Sequence, residues 1–262
     1  MIKAVIFDLD DTLLNDRKSI QEAFKATCGL AAQKHAINPA LLEENVRIHA
    51  RKLFTSYTTY NFTQKIGINP FEGLWGTFDD GGSFQALHNL ASTYQETSWV
   101  EGLQALHIDD EELGLELAKA FSVFRKKLPF VFDDTFHVLE ELKKDYQLLL
   151  LTNGSPSLQN IKLEITPELK AYFNDILISG DFGVGKPDPS IFQYILERNN
   201  LTKEQAIMIG DNLHTDILGS NRIGMENVWI NRNQMEINDI QPTYEIKRLR
   251  ELLPIVKKSS IE

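Results

Sequence analysis

Three carboxylates, Asp8, Asp10 and Asp11, sit within four positions directly after the apolar run Ala4-Val5-Ile6-Phe7. A short run of β-branched and aromatic apolar residues reads as a parallel strand buried on both faces, and this one stops abruptly at the acidic turn. Two like charges about 4 Å apart repel by roughly 4 kcal/mol at an effective dielectric near 20, so a fold that keeps Asp8 and Asp10 together implies a cation or a shared proton. The strand ends in chemistry or in a polar turn. Three further places set reactive side chains just past an apolar run: Thr152-Asn153, Lys186 in its Gly-Lys-Pro loop, and Asp211 with Asp216. Together they supply a carboxylate nucleophile, a second carboxylate for acid/base work, hydroxyl and backbone donors, one lysine, and two carboxylates for a hard cation. That is the inventory of magnesium-assisted phosphoryl transfer through an aspartyl-phosphate.

For these groups to meet, the runs before them must be neighbouring strands. Gln147 to Leu151, Ile176 to Ser179, Ala206 to Ile209 and Val228 to Ile230 read as buried strands, separated by helices at Asp134 to Lys144, from Pro156 and Pro167, and at Ser190 to Arg198. Such alternation predicts a doubly wound, Rossmann-like parallel sheet in which ligands bind beyond the strands' carboxyl ends, where all four places share one crevice. Tyr244 to Lys257 reads as a closing helix. Residues 15–127 carry helical spacing instead (Ile20, Phe24, Cys28; Leu42, Val46), with further helices at Phe84 to Thr97 and Asp110 to Lys127. The chain thus divides into an α/β core of residues 1–14 and 128–262 and an all-helical insert of residues 15–127. Arg51, Lys52 and Arg125 are the insert's candidates for substrate contact, and otherwise read as solvated helix positions. Tyr57, Tyr60, Phe62 and Trp75 read as insert core, with a few facing the crevice. His214 lies in the last acidic loop, where it reads as bland or as a substrate contact.

Composition narrows the partners. Against 37 acidic residues the 27 lysines and arginines leave a net charge of −10 with no basic stripe, which argues against a nucleic-acid polymer. An anionic small molecule fits only where a metal ion and a lysine override that field. Cys28 is the single cysteine, so no internal disulfide forms and a reducing compartment suits the chain. The apolar stretch near the N-terminus is too short for a signal peptide, and no run nears the roughly 18 residues of a membrane span. The expectation is a cytoplasmic protein without a membrane partner.

The ordered set Asp8-x-Asp10-x-Thr12, Thr152-Asn153-Gly154, Gly185-Lys186-Pro187 and Gly210-Asp211-x-x-x-x-Asp216 resembles the haloacid dehalogenase superfamily. The helical insert resembles the cap domain of its subfamily I, and Leu148 to Phe192 is similar to the branch containing pyrimidine 5′-nucleotidases and N-acylneuraminate 9-phosphatase. By that resemblance Asp8 attacks phosphorus and holds Mg2+. Asp10 protonates the leaving group, activates the hydrolytic water and offers its carbonyl to the metal. Thr152 and the amide of Asn153 hold the transferring oxygens, Lys186 offsets charge, Asp211 ligates Mg2+, and Asp216 supports the metal ligands from behind or partners Lys186. Thr12 shapes the turn, and Asp11 has no chemical role.

The implied activity is a magnesium-dependent phosphatase acting on a small phosphorylated metabolite, a nucleoside monophosphate or sugar phosphate. The alternatives are a 2-haloacid dehalogenase, which the Asp10 carboxylate opposes, a phosphomutase, and a receiver-type phospho-accepting module, which the insert and the Asp8-x-Asp10 pair oppose. The cap selects the leaving group and opens about hinges near Asn15 to Arg17 and Lys126 to Pro129.

Overall fold

The computed structural model describes residues 1–236 and 239–259. In chain order the elements are β1 (Ala4–Phe7), α1 (Asp16–Lys34), α2 (Pro39–Ser56), α3 (Tyr60–Ile66), α4 (Pro70–Gly73), α5 (Gln85–Gln104), α6 (Glu111–Lys127), α7 (Thr135–Leu142), β2 (Gln147–Thr152), α8 (Pro156–Glu164), α9 (Pro167–Lys170), β3 (Asp175–Ile178), α10 (Ser179–Phe182), α11 (Pro189–Arg198), β4 (Ala206–Gly210), α12 (Leu218–Ile223), β5 (Glu226–Ile230), β6 (Tyr244–Ile246) and α13 (Leu252–Ser259). Two compact units divide the chain. One holds Met1–Asn15, Val131–Gly154 and Thr166 onward, and the other holds Asp16–Phe130 and Ser155–Ile165.

The first unit is a six-stranded parallel sheet in the order β3-β2-β1-β4-β5-β6. β1 pairs with β2 through Phe7 and Leu150 and with β4 through Phe7 and Ile209, so the chain winds outward in both directions from β1 and β4. That reversal makes a crevice at the carboxyl ends of these strands. Ala4 to Phe7, Leu148 to Leu151 and Ala206 to Ile209 are fully buried, as parallel strands covered on both faces must be.

A correction concerns the C-terminal segment. Tyr244–Ile246 is a sixth strand beside β5, and the helix begins only at Leu252. A helix from Tyr244 would place Pro254 deep in its interior, where proline removes a hydrogen bond and clashes with the preceding turn; starting at Leu252 puts it in the first turn.

The second unit is helical. Three of its helices, α2, α6 and α8, start where the chain supplies an acceptor for the exposed N–H groups: Asn38 accepts from Ala40, Asp110 from Leu113, and Ser155 from Leu158, with Pro39 and Pro156 at the first helical positions. The rings of Phe24, Trp99 and Phe121 stack with centroids 4.6–5.7 Å apart at its centre. Trp75 is buried there, whereas Tyr57, Tyr60 and Phe62 are half-buried around it.

Two expectations change in this unit. Arg125 is not solvated: it is 2% exposed, donates to Asp16 at 2.7 Å and to the Ser19 hydroxyl, and lies over the Trp75 ring. Burial alone would raise the Asp16 pKa, but Lys162 and Arg125 outweigh it and hold the carboxylate below its ordinary value. In addition, α8 packs with the helices rather than with the sheet. Leu158 joins their apolar cluster, Lys162 pairs with Glu72 at 3.0 Å with both side chains almost fully buried, and Ser157 donates from its N–H (2.6 Å) and hydroxyl (3.0 Å) to Asp80. Among the described residues, no helix is long and apolar enough to cross a membrane.

Close helix packing depends on Gly102 of α5, where an added Cβ would overlap the Val46 side chain and meet the Val46 Cα and N of α2 at 3.2 Å. Gly102→Ala should therefore destabilise the protein by about 1–3 kcal/mol despite alanine's better helix propensity, because the α2 backbone must move. Chemical denaturation checks this, and a stabilised variant would refute the packing argument.

Candidate active site

Asp8 is the first residue past β1, and its N–H still donates to Ile209 of β4 at 2.9 Å, which fixes its backbone at the strand ends. Its side chain is 11% exposed, with Oδ1 accepting from Lys186 Nζ at 2.7 Å and Oδ2 from the Thr12 hydroxyl at 3.2 Å. The same Nζ donates to the Leu151 carbonyl at 2.7 Å and lies 2.7 Å from Asp216 Oδ1. One buried ammonium thus joins β1, β2 and the segment after β4.

Burial pushes the Asp8 carboxyl up to about 6, with Lys186 opposing the rise and Asp216 adding to it. Burial also works against charge on Lys186, but Asp216 and Asp8 outweigh it and hold the pKa above the ordinary lysine value.

Each neighbour is placed by a local device. The Lys186 backbone is held by Asn153, whose Nδ2 donates to the Lys186 carbonyl at 2.9 Å while its Oδ1 accepts from the Lys186 N–H at 2.8 Å. The Asn153 side chain is therefore a tie between two loops. The loop also holds the cis bond between Lys186 and Pro187. Thr152 ends β2 and is 1% exposed. Gly210 ends β4 with the Asp216 carboxylate directly against its Cα, where any Cβ would sit, so glycine is what allows Asp216 to reach Lys186. Asp216 lies in the π-helical turn Leu213–Ile217 and also accepts from the Asn212 N–H at 3.1 Å. His214 of that turn is exposed.

Asp8, Asp211 and Asp216 each offer a carboxylate oxygen, all within 4.8 Å of one another. Hard anionic oxygens in such a cluster fit Mg2+. Asp216 is the most deeply buried of the three at 1% exposed, and its carboxylate also meets Lys186 and the Asn212 N–H. Asp10 follows two residues after Asp8 and pairs with Leu14 in an isolated bridge, within a turn whose Asp11 has φ 59°.

Two contributors escaped the sequence reading. The Trp229 indole of β5 donates to the Asp211 carbonyl at 2.8 Å, and Arg232, just past β5, donates to the Thr12 carbonyl at 3.1 Å. Trp229 offered one signal, since a buried indole N–H at a strand's carboxyl end needs an acceptor. Arg232 offered none.

An α/β crevice holding a lysine-bridged carboxylate pair beside a cation-sized cluster of oxygens is equipped for nucleophilic group transfer. A profile of the haloacid dehalogenase-like hydrolases matches residues 2–224, and the chain belongs to that family. It is 31% identical to a phosphoserine phosphatase of Thermus thermophilus over 96% of this chain and 98% of that one. Identity is 28% to a pyrimidine 5′-nucleotidase of Escherichia coli over 78% and 85% of the two chains, and 29% to a glyceraldehyde 3-phosphate phosphatase of Pyrococcus furiosus over 99% and 95%. Among solved structures, a magnesium-bound HAD-hydrolase of Bacillus subtilis, described as revealing interdomain movement, superposes with TM-score 0.66 at 24% identity over 98% and 99% of the chains. A HAD phosphatase of Thermococcus onnurineus gives 0.60 at 26% identity over 97% and 98%.

Lys186→Met should expose the mutual dependence of these charges. Because the folded Asp8 pKa lies above its unfolded value of 3.8, Asp8 favours the folded state most below about pH 4, and this contribution is lost as pH rises through the folded pKa. Without Lys186 that pKa rises further, so the variant should be less stable than wild type by about 3–5 kcal/mol at pH 8 and by less at pH 5. Urea unfolding at both pH values checks this; equal deficits would show that Lys186 does not balance buried carboxylates.

Proposed function

We propose that the protein is a magnesium-dependent phosphomonoesterase that cleaves a small phosphorylated metabolite, a nucleoside monophosphate or sugar phosphate, through an aspartyl-phosphate on Asp8. The observation that carries this reading is the Asp8 carboxylate held by Lys186 and Thr12, with a second carboxylate, Asp10, two residues on. Family relatives named as phosphatases of phosphoserine, glyceraldehyde 3-phosphate and pyrimidine nucleotides support the reaction class, and their variety keeps the substrate broad.

In the first step an Asp8 oxygen forms a bond to phosphorus while the bond to the leaving oxygen breaks, and Asp10 gives that oxygen its proton. Lys186 offsets the negative charge that gathers on Asp8 and the phosphoryl group, while the Thr152 hydroxyl and the Asn153 backbone amide hold the phosphoryl oxygens. In the second step Asp10, now a carboxylate, takes a proton from water, the resulting hydroxide attacks phosphorus, and Asp8 and inorganic phosphate are released. Mg2+ bound by Asp8, Asp211 and the Asp10 carbonyl would neutralise phosphoryl charge. Asp216 acts by fixing Lys186.

Dehalogenation fits less well. A halide leaves carbon as a stable anion and needs no proton, so the acid role of Asp10 would be idle in that reaction.

The helical unit would act as the cap that selects the leaving group. It joins the sheet unit at the chain positions 15/16 and 130/131, and also at 154/155 and 165/166, where the chain passes between units. We take these boundaries as the hinges of a gating movement, a reading supported by the interdomain movement described for the B. subtilis hydrolase.

Phosphate release from a panel of nucleoside monophosphates and sugar phosphates, with Mg2+ or with chelator, tests the reading. Asp8→Asn should lower release by about a thousandfold or more, since the carboxylate proposed to form the phosphoryl-enzyme is lost, and chelation should abolish release in wild type. Undiminished release from the variant would refute the nucleophile assignment. Protons compete with the metal for Asp8, whose metal-free pKa is pushed up to about 6, so Mg2+ binding should weaken below that pH and release protons. Calorimetry at pH 5.5 and 8 in buffers of different ionisation enthalpy should register net proton release at the lower pH and little at the higher.

A further inference from the structure

Arg232 lies in the turn after β5, with its side chain 17% exposed. Its guanidinium covers the Phe132 ring at 3.7 Å from the centroid, donates from Nη2 to the Thr12 carbonyl at 3.1 Å, and lies 3.8 Å from Asp134 Oδ1. The next carbonyl, that of Leu13, accepts from the Phe132 N–H at 3.1 Å and the Thr135 hydroxyl at 3.0 Å. Two consecutive carbonyls of the turn that carries Asp10 are thus held from outside it. The turn needs such support. Asp11 has φ 59°, a conformation that a residue with a Cβ keeps only where its surroundings over-determine it. Thr12, whose carbonyl Arg232 grips, is also the residue whose hydroxyl donates to Asp8.

We propose that Arg232 is a positioning residue: stacked on Phe132, it clamps the Asp10-Asp11-Thr12 turn and thereby sets how Asp8 and the Asp10 carbonyl are presented to the divalent cation. The inference rests on the metal-assisted reading given above. Guanidinium suits the task because a planar fork can stack on a ring and donate in a fixed direction, whereas an ammonium supplies charge and donors without the plane.

A clamp and a charge make opposite predictions. Burial lowers the Arg232 pKa against the pull of Asp134, Asp133, Asp211 and Asp11, so the guanidinium feels the charge of Asp211, one of the carboxylates of the cation cluster. A cation there repels a divalent ion. Were charge its whole contribution, removing it would tighten metal binding; a clamp, once lost, leaves the ligands misplaced and loosens it.

The test is Mn2+ binding, by electron paramagnetic resonance or calorimetry, to the full chain as wild type, Arg232→Met and Arg232→Lys, with metal-free thermal melting as the folding control. Hydrolysis of p-nitrophenyl phosphate by the same proteins is the second readout. Arg232→Met should weaken Mn2+ about tenfold and lower kcat about tenfold with KM changed less than about twofold, and Arg232→Lys should recover part of both. Folded Arg232→Met that binds Mn2+ as tightly as wild type, or more tightly, overturns the clamp. If Arg232→Met does not fold, Arg232→Lys decides, because wild-type Mn2+ affinity in that variant shows that fork and stack are dispensable. Should wild type bind Mn2+ yet hydrolyse no phosphomonoester, the phosphatase reading fails while the Mn2+ ratios still judge Arg232.

Discussion

The site depends on one buried ammonium. Lys186 Nζ touches Asp8, Asp216 and the Leu151 carbonyl, each at 2.7 Å. Two carboxylates at this depth would otherwise repel, and the ammonium between them offsets that repulsion. The burial that makes Asp8 reluctant to ionise also makes its attraction to cations strong. Lys186 therefore serves the fold and the proposed chemistry through the same contacts. The surrounding devices hold that lysine and its partners still: the two hydrogen bonds of Asn153 to its backbone, the bare Cα of Gly210 that admits Asp216, and the Asn212 N–H on the far oxygen of Asp216.

The helical unit is organised by buried charge of a different kind. Asp16 with Arg125, and Glu72 with Lys162, draw four segments of the chain together, and removing either member of such a pair would strand a charge at a cost of about 3–5 kcal/mol. Their consequence is topological. Helix α8 starts two residues after Thr152-Asn153-Gly154, yet Lys162 binds Glu72 of α4 and Ser157 binds Asp80, so the chain leaves the sheet unit directly after that motif.

The sequence by itself determined the sheet's first five strands and the order of its reactive ends. Parallel strands covered on both faces must be apolar throughout, so Ala4 to Phe7, Gln147 to Leu151 and Ala206 to Ile209 were readable as strands, and the polar residues that stop each run were readable as a crevice. Asp8, Asp10, Thr152, Asn153 and Asp211 could be named because each stands at or just past such a stop, and Lys186 and Asp216 because they lie in the loops that follow. Helix starts were similarly open to reading wherever Asn, Ser or Asp precedes proline. Tertiary structure alone decided the rest, since the signals involved are pairings of residues far apart that carry no local pattern. Arg125 looks like any cation at a helix's last turn until Asp16, 109 residues earlier, is placed beside it. Arg232 meets Thr12 across 220 residues. α8 has ordinary helical spacing and joins the helices only because Glu72 and Asp80 await it there. The strand at Tyr244–Ile246 is three residues long, too short for periodicity to show, and forms because β5 presents an unpaired edge.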